Sequence, residues 1–312
     1  MIVDEGGMGI ETTGDVAYAL PGVAEKGFMD VILTIETAGG HSSRPPKHTA
    51  IGIMAEMIQQ LEAHPFSPVL SESNPFRGLL ECQVRYTPQA IERWLEKALM
   101  KGGSGRDIGP RLVEERGDSV RYLMQTSQAV DIIDGGAKDN ALPESVTALV
   151  NYRVAVHQSV SEVERSVTEL LYPIAENHAL NINDEVDTDE SNPASGLFTL
   201  SVKDPLSPSP ITPTSIEDPI WRLFSATIRQ VFESTSHLED KTVVPVGDIM
   251  TGNTDTIHYW DLSDHIYRFT PARTGTRFNA HTVDERVDMD AHIEGIRTYY
   301  ELIRNFDVSD AV

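Results

Sequence analysis

Apolar positions recur along the chain at two spacings. Over residues 28–36 apolar and polar side chains alternate, which predicts a strand buried on one face. Over residues 49–64 the apolar side chains Ile51, Met54, Ala55, Ile58 and Leu61 return every three or four positions, which predicts an amphipathic helix ended at His64-Pro65. The same spacing predicts helices over 88–100, stopped by Lys101-Gly102-Gly103-Ser104-Gly105, and over 160–175, 219–232 and 290–305. Thr214-Ser215-Ile216-Glu217 reads as a capping box ahead of the third of these. Strand character is expected over 121–133, 146–156, 178–182, 243–250 and 266–270. Residues 1–24 hold a strand end, a glycine turn and a second stretch broken at Pro21-Gly22. The order from 28 to 182 is strand, helix, helix, strand, strand, helix, strand, which favours an α+β sandwich with helices on one sheet face. Residues 183–215 turn acidic and then proline-rich and read as a crossing between domains, with strand character at 197–202.

A length of 312 residues suggests two domains. The net charge of −23 argues against nucleic acid and against anionic membrane surfaces, since both want a basic face. No apolar run is long enough for a transmembrane helix, and Met1-Ile2-Val3-Asp4-Glu5 has neither the basic region nor the apolar core of a signal peptide. The single cysteine, Cys82, permits no intrachain disulfide.

Four stretches combine turn residues with groups that carry chemistry. Asp4-Glu5-Gly6-Gly7 follows an apolar strand end, where a carboxylate either binds a cation or sits on a solvated turn. Gly39-Gly40-His41-Ser42-Ser43-Arg44-Pro45-Pro46 joins a strand to a helix. Its histidine either faces solvent idly or donates to an oxyanion. Asn140, Asn151 and Arg153 stand at two ends of one hairpin-like unit. The arginine suits a bidentate carboxylate clamp or a surface ion pair. Gly252-Asn253-Thr254-Asp255 and Ala280-His281-Thr282-Val283-Asp284 complete the set, with Asp255 a proton acceptor and His281 a zinc donor or an idle ring. The sequence holds no His-Glu-x-x-His, no paired Cys-x-x-Cys, no Gly-x-Ser-x-Gly and no phosphate loop.

Taken in order, these stretches resemble the M20 family of metallopeptidases, in particular the fungal vacuolar carboxypeptidase S group. Val3-Asp4-Glu5-Gly6-Gly7, the His41 loop, Gly135-Gly136-Ala137-Lys138-Asp139-Asn140-Ala141-Leu142-Pro143-Glu144, Val150-Asn151-Tyr152-Arg153, Thr251-Gly252-Asn253-Thr254-Asp255-Thr256 and His281-Thr282-Val283-Asp284-Glu285 carry the resemblance. It implies an α/β zinc-peptidase catalytic domain, incomplete at its N-terminal part, with an inserted α+β ferredoxin-like lid that mediates dimers. The implied bounds are 1–24 and 183–312 for the catalytic segments and 25–182 for the lid.

By resemblance, Asp4 and His281 are ligands of two different zinc ions. His41 reaches the scissile carbonyl, often that of the partner subunit's site. Asn140 and Arg153 hold the substrate's carboxylate or oxyanion, and Asn253 and Thr254 line the site with Asp255. Ile257 stands near where the family often has an arginine. The implied reaction is zinc-dependent hydrolysis of a peptide or N-acyl amino acid beside a free carboxylate, in the vacuole lumen. The family's His-x-Asp ligand motif, bridging aspartate and Glu-Glu base precede the Asp-Glu-Gly-Gly segment and are not in this chain, and Glu5 aligns with none of them. The alternative expectation is therefore a truncated paralogue or gene-model fragment, without activity, that retains lid-mediated dimerisation.

Overall fold

The computed structural model describes residues 1–7, 9–183 and 195–309. In chain order its strands are β1 (Ile2–Asp4), β2 (Gly9–Thr13), β3 (Val16–Leu20), β4 (Gly22–Glu25), β5 (Gly27–Thr37), β6 (Gly40–His41), β7 (Ser127–Gly135), β8 (Ala141–Leu142), β9 (Ser145–Val154), β10 (Leu180–Ile182), β11 (Gly196–Leu206), β12 (Thr242–Pro245), β13 (Asp248–Met250), β14 (Ile266–Arg268), β15 (Arg277–Phe278) and β16 (Arg286–Val287). The α-helices are α1 (Ala50–Ala63), α2 (Pro75–Tyr86), α3 (Arg93–Met100), α4 (Gly105–Arg116), α5 (Asp118–Met124), α6 (Val160–Asn177), α7 (Pro219–Phe232) and α8 (Met289–Asp307). Cα packing divides the chain into two units, residues 1–26, 68–124 and 209–312 in the first and 27–67 with 125–208 in the second.

The second unit is built on a five-stranded sheet of order β10-β11-β5-β9-β7. Setting the short edge strand β10 aside, the order 4-1-3-2 with two helices on one face is the ferredoxin-like arrangement that the family resemblance implied. Strand β5 alternates buried and half-buried positions along most of its length. Its Met29, Val31, Leu33 and Ile35 pack with Val146, Ala148 and Val150 of β9 against Met54 and Met57 of α1 and Val163 and Val167 of α6. Burying such side chains contributes about 1.5–3 kcal/mol each. Thr49 caps α1 by accepting from the Gly52 amide, and Ser159 with Glu162 forms a capping box on α6.

The first unit carries a four-stranded sheet, β1-β14-β4-β13, and a three-stranded one, β12-β3-β2. Helix α7 lays Trp221, Phe224, Ile228 and Val231 into a core shared with Val23, Tyr267 and Phe269. The Phe224 and Tyr267 rings stack at 4.3 Å.

The observed elements depart from the periodicity in several places. Residues 121–124 belong to α5, not to a strand, because Val120 and Met124 are one helical turn apart and both buried. The helix expected from residue 88 starts at Arg93, after a short 3-10 turn over Pro88–Ala90. Asp218, not Thr214, caps α7, accepting from the Trp221 amide. The α2 and α4 helices lie where no helix was expected. Gly105 and Gly109 of α4 look like breakers in sequence. In the fold they let the helix approach the chain at Leu70 and Pro68, where an added Cβ would lie 1.9 and 2.3 Å from carbonyl oxygens.

The unit boundaries also fall at other positions than 25–182. Segment 68–124 belongs to the first unit, where α2 packs on β13, and Tyr18 and Thr87 share a 2.8 Å hydroxyl contact. Residues 196–206 form a long strand paired antiparallel with β5 and belong to the second unit. The acidic stretch 184–190 lies outside the described residues.

Candidate active site

Asp4 ends β1, which runs parallel to β14 with Asp4 opposite Arg268. Its Oδ1 accepts from the Glu5 amide at 2.8 Å, and its Oδ2 is buried without a hydrogen-bond partner. A buried carboxylate oxygen left unpaired is costly unless a cation meets it, so Asp4 has the chemistry of a metal donor. The glycines behind it are structural. Gly7 has φ +68°, and an added Cβ would lie 2.5 Å from the Arg268 carbonyl oxygen.

His281 is exposed on the loop between β15 and β16, with φ +63°. Asn279 and Asp284 nearby are also left-handed, so three non-glycine residues of one short loop hold strained backbone. Among the described residues no group of three or more His, Cys, Asp or Glu side chains is placed to hold a metal. One buried Asp4 oxygen fits a cation, but the residues present do not form a closed two-zinc centre.

Asn253 and Thr254 face inward rather than outward. The Asn253 Nδ2 donates to the Lys26 carbonyl at 2.6 Å, and the Thr254 hydroxyl donates to Glu25 Oε1 at 2.6 Å. Glu25 and Arg268 are 0% and 1% exposed and form an ion pair at 3.3 Å, with Thr256 Oγ1 accepting from Arg268 at 2.8 Å. Burial pushes the Arg268 pKa down, while the charges of Glu25 and Asp4 hold it up. Arg268 is thus the common counter-charge of Asp4 and Glu25. Sequence reasoning passed over Glu25, Thr256 and Arg268. Their signal was one charge of each sign inside otherwise apolar strands, Val23-Ala24-Glu25 and Ile266-Tyr267-Arg268. Asp255 opens the 3-10 turn that Thr254 caps.

In the second unit the structure brings His41 and Asn140 together. Strands β6 and β8 pair with His41 opposite Ala141, and the Ser42 amide donates to the Asn140 carbonyl at 3.2 Å. Both residues are exposed. The His41 Nδ1 accepts from the Ser43 amide at 3.1 Å, which leaves Nε2 as the ring atom that can donate outward. A cavity of 460 Å³ adjoins this loop, with Arg44, Lys47 and His48 in its lining.

Arg153 is not part of that cluster. It lies near the far end of β9, opposite Phe28 and Ser127, with its guanidinium 4.8 Å from the Phe28 ring centroid. The strand from Ser145, beside the Asn140 turn, to Arg153 spans roughly 26 Å at the usual rise per residue. Asn151, on the same strand, donates to Asp30 at 2.8 Å.

The chain thus joins a ferredoxin-like domain with a histidine loop at one end to a unit whose Asp4 carries an unmet carboxylate oxygen. The peptidase dimerisation domain matches residues 23–179, and the chain belongs to the M20 peptidase family. It is 37% identical to carboxypeptidase S of Saccharomyces cerevisiae over 97% of this chain and 53% of that protein. It is 29% identical to an N-fatty-acyl-amino acid synthase/hydrolase of Homo sapiens over 98% of this chain and 55% of that protein. The chain spans about half the length of these curated relatives. In fold it is similar to an M20 family metallo-carboxypeptidase from Sulfolobus solfataricus, with a TM-score of 0.56 at 15% identity over 97% of this chain and 63% of that one. Human carnosine dipeptidase 1 gives 0.51 at 15% identity, over 92% and 56%.

Proposed function

We propose that this polypeptide contributes the lid, the substrate-holding groups and part of the metal centre of an M20-type hydrolase. The bond cut is a peptide or amide bond beside a free carboxylate. The observation that carries the reading is the exposed β6–β8 ladder, which sets His41 beside the Asn140 turn, with Arg153 near the far end of β9, roughly 26 Å along that strand from Ser145. An imidazole N–H beside an asparagine suits a developing oxyanion, and a guanidinium suits a carboxylate. Groups at opposite ends of the β5–β9 ladder serve different sites, so His41 and Asn140 act on the substrate of a second copy. The dimerisation domain supplies the means of pairing.

Asp4 and His281 are the proposed zinc donors, and the metal, when bound, would supply Lewis-acid chemistry at the carbonyl. A vacuolar location is proposed from the resemblance to the carboxypeptidase S group. A second reading is a chain without activity that retains the lid, and it rests on the match of the peptidase dimerisation domain to residues 23–179.

The test joins the 312-residue polypeptide to the part of S. cerevisiae carboxypeptidase S that the match leaves uncovered. The 312-residue polypeptide alone, with zinc, is expected to release no amino acid from N-acyl amino acids. The joined protein is expected to do so, and His41→Ala in it should lower kcat about 100-fold. A folded, zinc-loaded joined protein without activity supports the second reading. Hydrolysis by the 312-residue polypeptide alone contradicts the incomplete centre.

A further inference from the structure

A second cavity, of 680 Å³, lies wholly in the first unit, bordered by Gly6 and Gly7 of the Asp4 turn and by Thr251 and Gly252. Its walls are mostly apolar, with Leu20, Phe76, Leu79 and Met250 among the lining side chains. Three carboxyl groups, Glu11 on β2, Asp118 on α5 and Asp248 on β13, line the same space. Asp248 is 5% exposed, and its Oδ1 is buried with no hydrogen-bond partner. The Ile249 amide is the group that favours its charged form. Native interiors rarely leave a carboxylate oxygen unmet, and an apolar-walled space with one unmet acceptor suits a ligand with an apolar body and a single strong donor. Met250 is two residues along the same strand, hence on the same face as Asp248, and its flexible thioether is a wall that can move.

From this geometry we infer that the cavity binds a small organic amine, its ammonium group donating to Asp248 and its hydrocarbon body lying among Leu20, Phe76 and Leu79. A metal ion is disfavoured because the described residues offer no cluster of three metal-ligating side chains. The inference stands on binding alone and is independent of the peptidase reading.

Charge around the site agrees. Burial pushes the Asp248 carboxyl up to about 7, with the Glu11 charge adding to the rise, and burial raises the Glu11 carboxyl too. The other titratable or charged groups lining the cavity are Asp118 and Tyr122 on α5 and Arg277 on β15. An amine that stays protonated across neutral pH meets an ionised Asp248 only above about pH 7. Its affinity should therefore rise about tenfold between pH 6 and pH 8.

The test is calorimetric titration of the 312-residue protein with n-hexylamine hydrochloride at pH 6 and pH 8, with sodium hexanoate as the opposite-charge control. The expected result is saturable hexylamine binding that tightens about tenfold at the higher pH. Asp248→Asn should weaken it at least tenfold at pH 8, Glu11→Gln should weaken it less, and hexanoate should not bind. Folding of each variant is checked by its denaturant midpoint. Absence of hexylamine binding, equal binding of hexanoate, or undiminished binding to folded Asp248→Asn would overturn the inference.

Discussion

At the scale of single residues the first unit is organised by buried charge. Arg268 is ion-paired with buried Glu25 and its charge also acts on Asp4, so removing it leaves Glu25 buried without its counter-charge. Arg268→Met should destabilise the protein by about 3–5 kcal/mol, read as a lowered denaturant midpoint with an unchanged m-value. Asp248 behaves in the opposite sense. Its folded pKa of about 7 lies above that of an unfolded carboxyl, so the native state holds the proton more tightly. The stabilisation is complete below about pH 4 and is lost as pH rises through 7. Asp248→Asn should therefore match the parent near pH 4 and exceed it at pH 8, by at most about 4 kcal/mol. Equal stabilities at pH 8 would show that burial does not raise the Asp248 carboxyl. Asp4, His41 and His281 stand out as candidates because each sits in a run of turn residues that sequence alone exposes. Glu25 and Arg268 do not, because a buried ion pair joins positions 243 residues apart and no local pattern records it.

At the scale of elements, period-two and three-to-four spacing located β5, α1, β9, α6, α7 and α8. The helices of segment 68–124 escaped because their pattern mixes with glycines, prolines and charges whose roles are set by close packing, as Gly105 and Gly109 show. The Asp4 turn depends on Gly7 in the same way. Gly7→Ala should cost at least about 1–3 kcal/mol from backbone strain alone, measurable by thermal or chemical unfolding. Helix α8 carries a row of uncovered apolar side chains at Ile293, Ile296, Tyr300 and Ile303, between 57% and 70% exposed. An Ile293→Glu and Ile303→Glu double variant should lower fluorescence of a bound hydrophobic dye while shifting stability by less than about 0.5 kcal/mol per site. Loss of folding instead would mean that the row is packed.

At the scale of the whole molecule, the alternation of elements gave an α+β sandwich and the family resemblance made it ferredoxin-like, while neither told that 68–124 packs with the first unit. The boundaries are set by which surfaces meet, and the pairing of β11 with β5 across about 160 residues is invisible to periodicity. The same long-range geometry separates His41 from Arg153 and leads to the central claim, a site completed by a second copy. Mixed dimers of the joined protein test it most directly. His41→Ala and Arg153→Ala homodimers are each expected to be inactive. After subunit exchange the mixture should recover roughly a quarter of the parent rate, since half the dimers are mixed and each has one intact site. An exchanged mixture that stays as inactive as its components would contradict the account.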